Sequence, residues 1–251
     1  MMTGHLVVVG LGPGGPAHRT PAAEAALAAA DDLLGYAPYV ARVAVRPTQT
    51  VHPTDNREEL DRARHALALA ASGRRVAVVS SGDAGVFAMA AAVFEAAEHG
   101  PPAWRALDIE VVPGISALLA AASRVGAPLG HDFCAISLSN NLKPWPLVLR
   151  RLRAAAEAGF AMALYNPTSR ARPWQLGAAL DLLREILPPS TPVMFVTAAT
   201  RPEEHVELAR LDSAAPTSAD MRTLVIVGTA DTRIIERPGA AAWVYSPRSA
   251  S

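Results

Sequence analysis

Residues 5–15 read His-Leu-Val-Val-Val-Gly-Leu-Gly-Pro-Gly-Gly, an apolar run that leads directly into a glycine-rich turn. Consecutive apolar residues followed by turn-forming residues predict a buried β-strand over residues 6–9. Gly10, Gly12 and Gly15 also match the G-x-G-x-x-G pattern of dinucleotide-binding enzymes. What this turn binds therefore depends on the sequence around it.

Apolar strands and helices alternate after this turn through the first half of the chain. Strands are predicted over 6–9, 33–36, 76–79 and 109–112, and helices over 22–30, from 55 to a cap at Gly73, over 87–98 and from 116. Continuous apolar strands separated by helices are typical of a parallel sheet that is covered on both faces. Residues 126–131 are rich in turn formers and predict a linker.

The second half repeats the pattern with a different spacing. Strands are predicted over 133–138, 160–165, 193–197, 206–211 and 223–227, and helices over 147–158 and 174–187. The last two strands are too close for a full helix between them, which predicts a mixed sheet with some antiparallel pairing. We therefore expect a two-domain α/β protein: an N-terminal domain over 1–128 with the glycine-rich turns, a C-terminal domain over 129–236, and a flexible tail over 237–251.

Three features disfavour a dinucleotide site at the first turn. Pro13 removes a backbone N–H from a loop that would offer such groups to a pyrophosphate. The helix starts near Thr20, several residues after Gly15, although the motif needs its last glycine inside the helix. Asp31 and Asp32 precede the next strand instead of ending it, where a ribose-binding acid is needed.

Two further predicted strands also end in glycine-containing turns, so that the turns cover residues 10–14, 81–85 and 113–117. The carboxyl ends of parallel strands meet at one edge of a sheet, which is where ligands bind in such folds. Any one turn is explained by local geometry alone. Together they favour a ligand that the backbone approaches closely, with Asp83 and Ser116 as its polar neighbours.

The composition narrows the class of protein. Apolar residues make up 51% of the 251 residues and charged residues 18%, as in a globular protein. Basic and acidic residues balance at 23 each, which argues against a nucleic-acid partner. Cys134 is the single cysteine, so an intrachain disulfide or a cysteine metal cluster is not expected. Without a signal peptide or an apolar run of roughly 18 residues, we expect a cytoplasmic enzyme with no membrane association.

Five motifs carry a resemblance that spans residues 5–235. They are V-V-G-L-G-P-G (8–14), S-G-D-A-G-V-F (81–87), V-V-P-G-I-S-A (111–117), A-L-Y-N-P (163–167) and R-T-L-V-I-V-G (222–228). These motifs resemble those of the tetrapyrrole (corrin/porphyrin) methylases, the S-adenosyl-L-methionine enzymes of cobalamin and sirohaem synthesis.

The resemblance implies a kinked two-domain α/β fold, a homodimer, and S-adenosyl-L-methionine as methyl donor in a trough between the domains, with S-adenosyl-L-homocysteine as product. Matched position by position, it implies that the donor is bound by Pro13, Gly82, Asp83, Val86, Ser116, Ala117, Tyr165, Ala198, Thr223 and Leu224. It implies no metal site. Two positions depart from the common pattern: Gly15 replaces an acidic residue, and Asn140 replaces an aspartate.

Three further segments, residues 35–39, 137–145 and 165–175, resemble the branch of the family that methylates C17 of precorrin-3B and contracts the corrin ring to precorrin-4 in cobalamin biosynthesis. The substrate is a tetrapyrrole with carboxylate side chains, which arginine forks would bind. Candidates for that role are Arg42, Arg46, Lys143, Arg170 and Arg172. Trp145 and Trp174 either cover the macrocycle or, as we favour, pack a helix end.

The catalytic acid or base for ring contraction stays unassigned, and His18, Tyr36, Asp83 and His131 are the candidates. Four alternatives remain open at this point. The enzyme could methylate another ring position, or act on the cobalt-containing substrate of the anaerobic route. From other classes come a nucleotide-dependent oxidoreductase and a donor-binding protein without catalysis.

Overall fold

A computed structural model describes residues 4–55 and 58–249. The chain divides into two units, Met1–Ala117 and Leu118–Ser251. Each unit has its own sheet and its own apolar core. The division falls between Ala117 and Leu118, whereas the sequence pattern places it after residue 128, because the helix and short strand that precede residue 128 pack with the second unit.

The elements of the N-terminal unit follow the predicted alternation. They are β1 (His5–Gly10), α1 (Pro21–Ala29), β2 (Asp32–Tyr36), α2 (Ala37–Val40), β3 (Thr50–Thr54), α3 (Glu59–Ala71), β4 (Arg75–Ser80), α4 (Met89–His99) and β5 (Asp108–Val112). Helix α1 begins as expected, because the Thr20 hydroxyl accepts a 3.1 Å hydrogen bond from the Ala23 amide and Pro21 occupies the first turn. Strand β3 and helix α2 are additions to the predicted elements.

The N-terminal sheet is parallel throughout, in the order β3-β2-β4-β1-β5. Alternate residues of β1 enter opposite layers of the core: Leu6 and Val8 pack toward α3 and α4, and Val7 and Val9 toward α1. Each fully buried side chain of this kind contributes about 1.5–3 kcal/mol. Burial on both faces explains why the interiors of the central strands β1 and β4 are continuously apolar.

The C-terminal unit is built from α5 (Ala117–Val125, whose first residue ends the preceding unit), β6 (Gly126–Ala127), β7 (Phe133–Ser137), α6 (Trp145–Glu157), β8 (Ala161–Tyr165), α7 (Gln175–Arg184), β9 (Pro192–Thr197), β10 (His205–Arg210), β11 (Thr223–Val227), β12 (Arg233–Arg237) and β13 (Ala240–Tyr245). The larger sheet has the order β10-β9-β11-β8-β7. Only β7 and β8 pair in parallel within it, which confirms the expected mixed sheet. Helices α6 and α7 cover one face, and α5 covers the other.

The segment expected to be a flexible tail, residues 237–251, contains a strand over residues 240–245. Strand β13 pairs antiparallel with β12 and parallel with β6, and Val244 is buried. The Ser246 hydroxyl donates a 2.7 Å hydrogen bond to the Pro128 carbonyl. Residues 126–127 are therefore a strand of this small sheet, where a linker was expected. Strands β6 and β13 are ordered by pairing with each other although more than 110 residues separate them in the sequence. Local composition cannot predict such a distant pairing.

Within the described ranges, every helix is too short or too polar to cross a membrane.

Candidate functional site

The carboxyl ends of three neighbouring strands bring together the turns over residues 10–14 (turn 1), 81–85 (turn 2) and 113–117 (turn 3). The register pairs Gly10 with Ser80 and Val9 with Val112, so β4, β1 and β5 end at the same level. Turns 1 and 2 are joined directly, because Gly12 and Gly82 exchange two backbone hydrogen bonds of 3.0 Å. The convergence expected from the sequence is therefore present.

Glycine is required in these turns mainly because the turns pack closely against each other. A Cβ atom added to Gly10 would lie 2.7 Å from the Gly114 nitrogen, and one on Gly114 would lie 2.3 Å from the Gly82 carbonyl oxygen. Gly12 has a φ of 69° and a Cβ there would lie 2.3 Å from the His18 carbonyl oxygen. These contacts and the positive φ of Gly12 already require glycine at Gly10, Gly12 and Gly114. The close approach to a ligand expected from the sequence remains a prediction.

The carboxylate of Asp83 ties turn 2 to turn 3. Its Oδ1 atom accepts a 2.8 Å hydrogen bond from the Gly85 amide, and its Oδ2 atom accepts a 3.0 Å hydrogen bond from the Gly114 amide. Each carboxylate oxygen can accept a further hydrogen bond. Asp83 thus holds the two turns together, and its carboxylate can still accept hydrogen bonds from a ligand at this edge of the sheet.

The other implied donor-binding residues of this unit lie at the same edge. Pro13 is buried in turn 1 and Gly82 is buried in turn 2. Val86 is half-buried just after turn 2, Ser116 is buried in turn 3, and Ala117 begins α5. All six positions implied by the resemblance are therefore grouped at one edge of the N-terminal sheet.

Arg42, a candidate for binding substrate carboxylates, instead clamps two of the turns. Its guanidinium donates hydrogen bonds to the carbonyl oxygens of Gly12 at 2.8 Å and Gly14 at 2.6 Å, and to the Ser81 hydroxyl at 3.0 Å. The Arg42 carbonyl in turn accepts a 2.9 Å hydrogen bond from Arg19. Sequence reasoning missed this positioning role, because no local pattern connects residue 42 to residues 12, 14 and 81.

The position of Asp32 argues against a dinucleotide site. It is the first residue of β2, so it lies at the amino edge of the sheet, opposite the turns. Its buried carboxylate accepts hydrogen bonds from Arg74 and from His52, the latter at 2.9 Å. Burial opposes ionisation, but the Arg74 and His52 hydrogen bonds outweigh it and hold the pKa of Asp32 below its ordinary value. Asp32 therefore stabilises the amino edge of the sheet. Because turn 1 lies at the opposite edge, Asp32 cannot bind a ribose there.

In the C-terminal unit, the four implied donor-binding residues also share one edge of a sheet. Tyr165 ends β8, Ala198 follows the end of β9, and Thr223 and Leu224 begin the antiparallel strand β11. Thr223 is paired with Thr197 in the register. Because β11 runs opposite to β8 and β9, its first residues lie beside their last ones.

Hydrogen bonds hold this edge in place. The hydroxyl oxygens of Thr223 and Thr197 lie 2.7 Å apart, and the Thr223 hydroxyl also accepts a 2.9 Å hydrogen bond from the Asp220 amide. The Tyr165 hydroxyl accepts a 3.1 Å hydrogen bond from the Leu118 amide in the first turn of α5. Ala198 has a φ of 49°, an uncommon conformation for a residue with a side chain.

Two of the three branch-specific segments, residues 137–145 and 165–175, lie largely in the loops that follow β7 and β8. Asn140 accepts a 3.0 Å hydrogen bond from the Gln175 side chain, which a carboxylate at position 140 could equally accept. The rings of Trp145 and Trp174 pack edge to face with centroids 5.0 Å apart. Trp145 also packs against the core beneath α6 and α7, as favoured by the sequence analysis. Half of the Trp174 surface stays exposed.

The acid–base candidates divide between the two ends of the sheets. Tyr36 ends β2 and stacks edge to face on Tyr39, and His18 follows turn 1 with its Nδ1 atom buried and without a partner among the described residues. Both lie near the carboxyl edge of the N-terminal sheet, as Asp83 does. His131 precedes β7 and so lies at the edge opposite Tyr165.

Comparison with known proteins agrees with these features. Residues 5–215 match the family described as Tetrapyrrole (Corrin/Porphyrin) Methylases. A protein of Sinorhizobium sp. named precorrin-3B C(17)-methyltransferase is 57% identical over 247 residues, which cover 98% of this chain and 97% of that protein.

Two solved structures extend the comparison. The crystal structure of the methyltransferase CobJ superposes with a TM-score of 0.92 at 55% identity, covering 97% of this chain and all of that one. A uroporphyrin-III C-methyltransferase of Thermus thermophilus, solved in complex with S-adenosyl homocysteine, has a TM-score of 0.68 at 25% identity and covers 90% of this chain and 92% of that one. The expected fold and resemblance are thereby confirmed: the chain belongs to the tetrapyrrole (corrin/porphyrin) methylases.

Proposed function

We propose that this chain transfers a methyl group from S-adenosyl-L-methionine to C17 of precorrin-3B and contracts the corrin ring to give precorrin-4, in cobalamin biosynthesis. The observation that carries the proposal is its 57% identity, over nearly the whole of both chains, to a protein named for this C17 methylation. Its similarity to CobJ, with a TM-score of 0.92, supports the same assignment.

The proposed donor site consists of Pro13, Gly82, Asp83, Val86, Ser116 and Ala117 on the N-terminal unit, and of Tyr165, Ala198, Thr223 and Leu224 on the C-terminal unit. The residues suit a sulfonium amino acid with an adenosine group. Asp83 offers carboxylate lone pairs to amino or hydroxyl donors, and Pro13, Val86 and Leu224 offer apolar surface. A relative solved with S-adenosyl homocysteine supports this choice of donor.

Bound S-adenosyl-L-methionine would supply an electrophilic methyl group for an in-line displacement. Such a reaction asks the protein chiefly for alignment, and alignment can supply several kcal/mol of the barrier. The rigid backbone of turns 1 to 3, held by Arg42 and Asp83, is suited to that task. The subsequent ring contraction needs proton transfer, which we assign to the N-terminal edge where His18, Tyr36 and Asp83 lie.

We further propose that the enzyme works in the cytoplasm as a homodimer, as the family resemblance implies. Size-exclusion chromatography with light scattering of the purified chain tests the oligomeric state directly. A mass of one chain, 26.2 kDa, would contradict the dimer.

The deciding experiment is turnover of precorrin-3B with S-adenosyl-L-methionine, followed by mass spectrometry and NMR of the product. We expect a mass gain of one methyl group, located at C17. A parallel assay with the cobalt-containing substrate separates the two routes, since the faster substrate identifies the route. Equilibrium binding of S-adenosyl-L-methionine and of NAD is measured alongside. Tight NAD binding without methyl-donor binding would overturn the proposal in favour of an oxidoreductase, and donor binding without turnover of any precorrin would favour a non-catalytic protein.

A further inference from the structure

We propose that the Arg172 guanidinium, which the protein holds in a fixed position, binds a carboxylate arm of the tetrapyrrole substrate. This inference rests on the proposed function and deepens it, because it selects one of the four candidate arginines. Arginine suits the role, since its planar fork can donate two parallel hydrogen bonds to a carboxylate.

The backbone around Arg172 is ordered by its own hydrogen bonds. Residues Ser169 and Arg172 exchange two backbone hydrogen bonds, of 3.1 Å and 3.0 Å, which close a tight loop after β8. The Arg172 Nη1 atom donates a 3.2 Å hydrogen bond to the Asn166 carbonyl oxygen. The guanidinium is thus anchored by one of its nitrogens, and its Nε and Nη2 atoms make no hydrogen bond to the described residues.

Asn166 is itself fixed to the sheet. Its side-chain amide donates a 2.9 Å hydrogen bond to the Ser137 hydroxyl at the end of β7. Its φ of 53° turns the chain sharply away from β8, a conformation that asparagine tolerates better than most residues. Two successive hydrogen bonds, from Asn166 to Ser137 and from Arg172 to Asn166, therefore fix the guanidinium relative to the edge of the sheet.

The charge of Arg172 has no counterion among the described residues. Across residues 4–55 and 58–249, no carboxylate lies within ion-pair distance of it, whereas Arg19, Arg75, Arg184 and Arg222 each contact an aspartate or glutamate. Arg172 as a residue is half-buried, and this burial lowers the pKa of its guanidinium. A partly desolvated cation without an anion is unfavourable, and a bound carboxylate relieves this cost.

Arg42 is already engaged by the backbone, because its guanidinium donates to the carbonyl oxygens of turn 1. Arg46 is exposed, and its side chain makes only a long hydrogen bond of 3.3 Å to the Ala30 carbonyl. Arg170 is exposed and lacks the half-burial that strengthens a charge-assisted hydrogen bond.

The carboxylate could belong to the tetrapyrrole or to the methionine end of the methyl donor. We commit to the tetrapyrrole because of where Arg172 is anchored. The proposed donor residues Tyr165, Thr223 and Leu224 lie on the central strands β8 and β11, whereas Ser137, which holds the Arg172 loop, ends β7 at the margin of the sheet. The loop also lies within a segment specific to the C17-methylating branch.

The test compares wild-type enzyme with Arg172→Gln and Arg172→Lys, using precorrin-3B turnover and equilibrium binding of S-adenosyl-L-methionine. Arg150→Gln is the matched control, because Arg150 is an exposed arginine of the same unit that makes no ion pair to the described residues. We expect Arg172→Gln to raise the KM for precorrin-3B about tenfold to hundredfold, a loss typical of one charge-assisted contact. Arg172→Lys should recover part of that loss, since it keeps the charge without the fork.

The Kd for S-adenosyl-L-methionine should stay within about twofold of wild type in every variant, which also shows that the variants are folded. An unchanged KM for precorrin-3B in Arg172→Gln would overturn the inference and leave the proposed function standing. A raised Kd for the methyl donor in both Arg172 variants, with the Arg150 control normal, would overturn it in favour of the donor carboxylate. Absence of wild-type turnover would instead reject the proposed function, and the inference with it.

Discussion

The guanidinium of Arg42 donates a 3.0 Å hydrogen bond to the Ser81 hydroxyl, and this contact joins two turns that are far apart in the sequence. The same guanidinium also holds the carbonyl oxygens of Gly12 and Gly14. Since turns 1 and 2 both contribute to the proposed donor site, Arg42 is a positioning residue for that site. Its contacts lead to the first prediction.

Replacing Arg42 by lysine should weaken binding of S-adenosyl-L-methionine about tenfold, because one ammonium group cannot reproduce the forked contacts to Gly12, Gly14 and Ser81. Isothermal titration calorimetry measures the Kd. Arg46→Lys is the control, since exposed Arg46 makes a single long hydrogen bond to the Ala30 carbonyl. Added guanidinium chloride at millimolar concentration should partly restore binding to Arg42→Ala, which a general folding defect would not allow. Equal affinities for wild type and Arg42→Lys would contradict the positioning role.

Substitution of Gly114 by alanine should lower the free energy of unfolding by about 1–3 kcal/mol, the range for forced overpacking. The added Cβ would lie 2.3 Å from the Gly82 carbonyl oxygen and 2.8 Å from the Gly10 carbonyl carbon, and these are backbone atoms that cannot rotate away. Urea unfolding followed by circular dichroism gives the value.

Gly15→Ala is the matched control for this change. Its φ of −76° is ordinary for alanine, and a Cβ there would have nothing within 4 Å. We expect its stability to match wild type or to rise slightly. Equal destabilisation by both substitutions would show that the three turns are not packed as described.

Asp32→Asn should destabilise the protein by about 1–3 kcal/mol at pH 7, because the buried Asp32 carboxylate loses its charge-assisted hydrogen bonds from exposed Arg74 and half-buried His52. The folded-state pKa of Asp32 is depressed, so its contribution is present above the unfolded-state pKa of about 3.9 and is lost as pH falls through the folded-state pKa. Unfolding measured between pH 3 and pH 7 should therefore show a shallower pH dependence in the variant.

The neighbouring Asp31→Asn provides the comparison. Asp31 pairs with exposed Arg75 at 2.7 Å, and exposed pairs of that kind add little to stability because water screens them. If the two variants lost the same stability, the buried position of Asp32 would not be the cause.

Cys134, the single cysteine, should react slowly with a disulfide reagent in the folded protein. It is half-buried on β7, and burial raises the pKa of its thiol, so less of the reactive thiolate is present at pH 8. We expect labelling of the native protein to be at least about tenfold slower than labelling in urea. Cys134→Ser gives the background, and equal rates in the two states would refute the prediction.

The strands and helices were predictable where the signal is local. Strand β1 is a continuous apolar run ended by glycine, and α1 begins with a capping threonine and a proline, so each is read from a few adjacent residues. Strand β3 was not predicted because it contains Pro53 and is only half-buried. Its position at the edge of the sheet explains both properties, and the edge is decided by the order of all five strands.

The grouping of the candidate donor residues was also predictable, since motifs that follow parallel strands must meet at the carboxyl edge. The reason for the glycines and the role of Arg42 were not. Both depend on contacts between segments that are separated by 30 residues or more, such as Arg42 with Gly12 and Gly82 with Gly114.

By itself, the sequence determined that residues 5–15 form a buried strand and a tight turn, and the family motifs determined what kind of enzyme contains them. Only the tertiary structure decided that Gly10 and Gly114 pack on each other, that the Arg42 guanidinium binds the turns, and that Arg172 has no acidic partner among the described residues. The physical reason is range: hydrophobic pattern and backbone preference act between adjacent residues, whereas the distance between two turns, and the counterion of an arginine, depend on how the strands are ordered in the sheet.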